Sequence, residues 1–186
     1  MSGMGRVLKI VTVGDGAVGK TSLLVTYTQG AFDQQYTPTV FENYAGDVEV
    51  NGKKYNITLW DTAGQEGFDR CRVLCYKGAS VFLVCFSVDN PNSLDNVRRV
   101  WLPEVRKECG DNVPVVLVGT KTDLRESSVN DNIVKTAEGK KAAKSLKMSG
   151  YVECSAKEMK NLKQVFVEAV LATEQNHKKE FSCVLL

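Results

Sequence analysis

The segment Gly14-Asp15-Gly16-Ala17-Val18-Gly19-Lys20-Thr21 constrains this 186-residue chain more than any other. It follows the apolar, β-branched run Val7 to Val13 and opens a stretch of helical pattern. A strand that turns through glycines into a helix points backbone N–H groups and the positive end of the helix dipole at one spot, which suits an anion. Lys20 can reach the outer oxygens of a phosphate chain there, and Thr21 offers a hydroxyl to Mg²⁺. The residues therefore contain every part of a G-x-x-x-x-G-K-[ST] phosphate loop. Gly14, Gly16 and Gly19 also satisfy G-x-G-x-x-G, the turn of dinucleotide-binding folds. Two features weigh against that alternative. Lys20-Thr21 has no part in it, and the acidic residue it wants about 20 residues on would be Asp33, in a stretch (Gly30 to Gln35) that does not read as a strand. A structural glycine turn is the third reading of the same residues.

With 43% hydrophobic and 25% charged residues, the chain reads as one soluble globular domain. Its 24 basic and 22 acidic residues give a formal charge of +2, with no basic stripe interleaved with aromatics, so nucleic acid is not an expected partner. The six cysteines contain no C-x-x-C pair and no charged-then-apolar leader opens the chain, which points to a reducing cytosol. Ser2 stands where N-myristoylation needs glycine, and no apolar run approaches membrane-spanning length.

The runs Val7 to Val13, Val81 to Phe86 and Val115 to Val118 are almost wholly apolar, as strands covered on both faces should be. Asp47 to Val50 and Tyr55 to Trp60 alternate, and Asn51-Gly52 between them signals a two-residue hairpin. Gly150 to Cys154 supplies a last strand. Helical patterns occupy about 20–27, 93–109, 137–147 and 158–176, with Leu162, Val165, Phe166, Ala169, Val170 and Thr173 along one core-facing stripe of the last. Pro103 should kink or disturb the 93–109 helix. The expected fold is α/β and doubly wound: a mostly parallel six-stranded sheet with one antiparallel edge strand, its ligands gathered at the carboxyl ends of the strands.

Three further motifs carry chemistry. In Asp61-Thr62-Ala63-Gly64-Gln65, Asp61 at a strand's carboxyl end could hold Mg²⁺ through water, Gly64 could bring a backbone N–H to a γ-phosphate, and Gln65 would lie near an attacking water. Asp123, in Thr120-Lys121-Thr122-Asp123, could accept from N1–H and the exocyclic amine of guanine, a donor pair that adenine lacks. Cys154-Ser155-Ala156-Lys157 offers small residues and backbone donors to the guanine oxygen.

Together the phosphate loop, Asp61 to Gln65, Thr120 to Asp123 and Ser155 to Lys157 resemble the four nucleotide motifs of Ras-superfamily small GTPases, over essentially the whole chain. Tyr36 to Tyr44, Trp60, Phe86-Ser87, Trp101 to Val105, the Thr-Lys-x-Asp form of the guanine motif and the Cys-Val-Leu-Leu ending resemble the Rho/Rac group. The resemblance implies a P-loop GTPase fold, GTP/GDP and Mg²⁺ as ligands, and catalytic parts for Gln65, Lys20 and Gly16. It implies metal ligation by Thr21, Thr39 and, through water, Asp61. Phe32 would stack on guanine and Tyr36 cover the phosphates. Ser22, Lys121 and Leu124 would complete the nucleotide contacts. Segments 30–44 and 61–80 would be switches, ordered by γ-phosphate and Mg²⁺ and released by hydrolysis.

The same resemblance implies an exchange factor, a GTPase-activating protein, a lipid-shielding dissociation inhibitor, effectors such as formins or kinases, and a part in actin organisation, for a monomeric protein. Residues 1–177 would form the GTPase domain and 178–186 a flexible tail. The terminal leucine after Cys183 favours geranylgeranylation, with only Lys178 and Lys179, beside Glu180, as a basic flank, so weak, reversible lipid anchoring at cytoplasmic membrane faces is expected. The chain departs from the Rho pattern at Gly67 (usually acidic), at Val73 and Lys77 (usually proline), at Ser22 (often cysteine) and in Arg125 to Lys135, which reads as a truncated inserted helix. The alternatives are a module of this fold that holds GTP without hydrolysing it, and a nicotinamide enzyme indifferent to Mg²⁺.

Overall fold

The computed structural model describes residues 7–33, 39, 41–65, 67, 69–127 and 132–184, with residues 179–184 described by backbone alone. Six strands form one sheet in the order β2-β3-β1-β4-β5-β6. They are β1 (Leu8–Gly14), β2 (Phe41–Val50), β3 (Lys53–Thr62), β4 (Val81–Ser87), β5 (Val115–Thr120) and β6 (Gly150–Glu153). All neighbours run parallel except the edge pair β2 and β3. Asn51 (φ 52°) and Gly52 (φ 74°) make the tight turn between those two, both in the left-handed region that an Asn-Gly hairpin favours. The expected doubly wound fold is thus the observed one.

The helices are α1 (Lys20–Gln29), α2 (Asp69–Leu74), α3 (Pro91–Asn96), a π turn (Val97–Trp101), α4 (Leu102–Cys109), α5 (Leu124–Ser127), α6 (Thr136–Ser145) and α7 (Leu162–Val184). The apolar strands feed two cores. Ile10, Leu83, Val116 and Val118 pack with Leu23 and Leu24 of α1 and Val165, Phe166, Ala169 and Val170 of α7. Val11, Val13, Phe82, Val84 and Leu117 face the other way, onto Val97, Trp101, Val105, Ala142 and Ala143. Alternate residues of a central strand therefore serve opposite cores, which is why β1, β4 and β5 read as unbroken apolar runs.

Three local expectations need correction, and the irregularity expected at Pro103 is found. β2 begins at Phe41, six residues before the alternating stretch, because ladder pairing from Phe41 opposite Thr62 holds a segment whose side chains are mostly exposed. α7 begins at Leu162 instead of Glu158. Ser155 and Lys160 exchange backbone hydrogen bonds of 3.1 and 2.9 Å, and Met159 and Asn161 take positive φ, so the chain cannot be helical there. At its other end α7 runs past Asn176 to Val184, so the segment expected as a tail starts as helix. The 93–109 helix is broken by the π turn: Leu102 N–H reaches back five residues to the Val97 carbonyl. Pro103 follows at once, and its ring and missing N–H exclude the regular bond to residue 99. In the segment 125–135, expected as a truncated inserted helix, the last three residues of the four-residue α5 are helical and the other described residues, 132–135, are not.

Candidate functional site

The site lies at the carboxyl ends of β1, β3, β4 and β5, where the connection after β1 runs toward β2 and β3 while the one after β4 runs the other way toward β5, so a crevice must open. β1 ends on Gly14, whose φ is +145°; a Cβ there would sit 2.3 Å from the Cys85 carbonyl oxygen, so only glycine fits. Ala17 (φ 60°) and Gly19 (φ 93°) complete the curl before α1. Lys20, 6% exposed, lies under the loop with Nζ donating to the carbonyls of Gly14 and Asp15, both at 2.8 Å. Burial pushes its ammonium below the usual lysine range, against the opposing pull of Asp61 and Asp15. An anion at the loop would restore the charge balance that burial removes. Buried Val18 anchors the loop, its carbonyl 2.5 Å from Thr120 Oγ1 at the end of β5.

Thr21 Oγ1 donates to Asp61 Oδ2 at 2.6 Å and lies 2.7 Å from Thr39 Oγ1. Asp61 is fully buried, and its Oδ1 has no hydrogen-bond partner among the described residues. Burial raises its carboxyl pKa, partly offset by the Thr21 hydrogen bond and by Lys20. Two hydroxyl oxygens beside an orphaned buried carboxylate fit a small divalent cation that keeps several waters. Thr21, Thr39 and Asp61 would hold Mg²⁺ there.

Gly64 closes the site from the β3 side. A Cβ on it would lie 2.4 Å from both the Gly14 oxygen and the Asp15 carbonyl carbon, so this backbone sits directly on the phosphate loop. Exposed Gln65 comes next; a Cβ on Gly16 would meet its Cγ at 3.7 Å, an ordinary van der Waals contact, so Gly16 and the Gln65 side chain are neighbours. Gly16, Ala17, Lys20, Thr21, Thr39 and Gln65 line a cavity of about 270 Å³. Beside it is a second cavity of about 200 Å³, bounded by Phe32, Asp123, Leu124, Ala156 and Lys157. Gly19, Ser22 and Lys121 wall both.

In the second cavity Ser155 Oγ donates to Asp123 Oδ1 at 2.6 Å and itself accepts from Glu158 N–H at 3.1 Å. That aims one carboxylate oxygen at its support and leaves the other for a ligand. Lys121 turns through positive φ (57°), and Thr122 N–H bonds the Cys154 carbonyl at 3.2 Å, stitching the two base-side loops together. Tyr36 falls outside the described residues, and so does the side chain of Cys183. His177 borders a separate hollow of about 550 Å³ near Ser80 and Cys109, at the amino ends of the strands, where no phosphate loop or carboxylate pair is present among the described residues.

Sequence reasoning missed the supports beneath these groups. Arg125 grips Glu153 through two hydrogen bonds of 2.6 Å, and Thr136 adds a third at 2.9 Å, bracing the chain on either side of Asp123 and Ser155. Burial alone would raise the Glu153 carboxyl, yet the Arg125 fork and its hydroxyl partners hold it below the usual range. Asp15 has a support of its own, in the helices beyond β4. No local pattern announces either, since their partners are far apart in the chain.

A Ras family model matches residues 9–175. The chain is 49% identical over 183 residues to the Ras-like GTP-binding protein RhoL of Drosophila melanogaster, covering 97% of this chain and 95% of that protein. It is 46% identical over 189 aligned residues to GTP-binding protein RHO1 of Candida albicans, covering 96% and 95%. These similarities span both cavities and every strand of the sheet. The chain belongs to the Ras family and, within it, to the Rho group of small GTPases, which bind GTP and GDP with Mg²⁺ and hydrolyse GTP.

Proposed function

We propose that this GTPase is a molecular switch whose two states differ in how Thr39 and the Gly64-Gln65 turn are held. The observation that carries the reading is the pair of adjoining cavities. One is lined by Lys20 and Lys121, by Thr21, Thr39 and Thr62 and by glycine backbone, as a triphosphate requires, and the other by Asp123 between Phe32, Leu124 and Lys157, as a purine requires. Their shared wall at Gly19, Ser22 and Lys121 lets one ligand occupy both.

When bound, Mg²⁺ would neutralise the phosphate oxygens and give Thr39 a reason to stay near Thr21. Lys20 neutralises the outer phosphates, the loop's N–H groups fix them, and Gln65 orients a water whose oxygen bonds the γ-phosphorus as the bond to the β–γ bridging oxygen breaks; GDP leaves and the water's proton ends on the released phosphate. Such catalysis is mostly positioning, so turnover is slow until an activating partner supplies an arginine. Loss of the γ-phosphate frees Thr39 and Gly64, which is the switch. Competition of GTP, ATP and NAD for the purified chain, with phosphate release followed with and without Mg²⁺, tests the reading. GTP should win by orders of magnitude and only with Mg²⁺; NAD binding that ignores Mg²⁺ would refute it.

In this proposal the GTP state binds effectors that act on actin, and exchange, activating and lipid-shielding proteins govern the cycle. Cys183 carries a geranylgeranyl group that reaches cytoplasmic membrane faces; among the described residues no helix is long and apolar enough to cross a membrane. One lipid with a thin basic flank gives reversible residence. Flotation of the lipidated protein with anionic vesicles should show it exchanging freely, and Cys183→Ser should leave it unbound. Tight binding that survives the serine change would remove the lipid from the account.

A further inference from the structure

Asp15 puts a carboxylate in a loop that must hold an anion, where it should repel the ligand. Both its oxygens are engaged elsewhere. Trp101 Nε1–H donates to Oδ1 at 2.6 Å and Asn96 Nδ2 donates to Oδ2 at 2.8 Å. Trp101 and Asn96 are five residues apart, which in a regular α-helix would turn their side chains about 140° from one another. The π turn from Val97 to Trp101, closed by the Leu102 N–H to Val97 bond, brings residues five apart onto one face, so both donors reach one carboxylate.

The clamp continues into the second switch. The guanidinium of Arg72, from α2, lies 4.7 Å from the Trp101 ring centroid. Arg72 is 4% exposed, donates to the Ala63 carbonyl at 3.1 Å and forks onto Glu104 at 2.7 and 3.0 Å. Gly64, next to Ala63, rests on the Asp15 carbonyl. The contacts therefore close a ring: Asp15, Trp101, Arg72, Ala63, Gly64 and back to Asp15.

We infer that Trp101 is a positioning residue for hydrolysis, holding the phosphate loop and the Ala63-Gly64-Gln65 turn in one register through Asp15 and Arg72. Without its N–H the loop and the turn can shift independently, and Gln65 loses its place over the reacting phosphate while nucleotide contacts persist. The π turn is the device that makes the clamp possible, and Pro103 is what keeps that turn from relaxing to α. This rests on the proposed role of Gln65.

The test compares the full chain with Trp101→Phe, Gln65→Leu and both together, by single-turnover GTP hydrolysis, GDP release and thermal melting. Phenylalanine keeps a ring beside Arg72 and removes only the donor. Trp101→Phe should slow hydrolysis about tenfold, within the hundredfold that a displaced reacting group can cost. GDP release should stay within about threefold of the parent. In the Gln65→Leu background the same change should add less than about twofold, because residues acting as a unit are not additive. Unchanged hydrolysis, an equal factor lost in both backgrounds, or release hastened as much as hydrolysis slows would overturn the inference. Parent-like hydrolysis by Gln65→Leu alone would sink the Gln65 reading and this inference with it. A crippled Gln65→Leu beside an unimpaired Trp101→Phe sinks only the inference. If Trp101→Phe melts below the assay temperature, Asn96→Ala, which removes the other donor, should slow hydrolysis about threefold with the same non-additivity, and no slowing would be equally fatal.

Discussion

Gln65→Leu is expected to remove nearly all of the acceleration that an arginine from an activating protein gives this class of enzyme, about 10³–10⁵ in rate, while GTP affinity changes by no more than about threefold. The asymmetry follows from where the side chain sits. Gln65 is exposed at the mouth of the phosphate cavity, against Gly16, and lies apart from the base cavity. Its amide can therefore serve the water in the transition state without holding the ground state, and such a group affects the chemical step alone. Leucine fills a similar volume and offers neither donor nor acceptor. Phosphate release with and without a Rho-type activating protein, beside a nucleotide titration, measures both quantities. Undiminished stimulated release would remove Gln65 from the mechanism and reassign water positioning to backbone groups.

Asp123→Asn is expected to lower GTP affinity about 10³-fold and leave the weak binding of ATP nearly unchanged, short of the 10⁴–10⁵ discrimination that a site built on hydrogen bonds can reach. One carboxylate oxygen is committed to Ser155, and the other faces the cavity beside Leu124 and Lys157. An asparagine can keep the Ser155 bond through its oxygen, but then turns an N–H₂ donor toward guanine's own donors. A charge-assisted acceptor becomes an opposed donor in a half-buried place, which leaves donors facing donors. Competition titrations of GTP against ATP give the ratio directly. An unaltered ratio would place guanine recognition elsewhere.

Both substitutions act on groups that short motifs made visible, because the chemistry needs particular residue types at fixed offsets from a strand end. Gly14 could be read as glycine for a reason, and its φ of +145° against the Cys85 carbonyl supplies that reason. The core was legible for a similar cause: β1, β4 and β5 sit between two helical layers, and burial on both faces leaves no polar position to break the run. The first half of β2 was not, since exposed residues carry no period and only the ladder with β3 makes them a strand. α2 was equally silent. Its six residues are too few to show a helical stripe, and its buried member is Arg72, whose place depends on Glu104, 32 residues on.

What the amino-acid order determined by itself was the list of parts: a phosphate loop, a carboxylate after a strand, a guanine-type aspartate, and the strands and helices that carry them. What only the tertiary structure decided was which polar group each part leans on. Thr21 finds Asp61 across 40 residues, Asp123 finds Ser155 across 32, and Asp15 finds Trp101 across 86. Apolar periodicity records which side of an element is buried and nothing about its neighbour. A buried donor or acceptor must be satisfied by whatever the packed sheet brings within about 3 Å. These pairings, and the π turn that lets Asn96 and Trp101 share one carboxylate, exist only once the helices have docked.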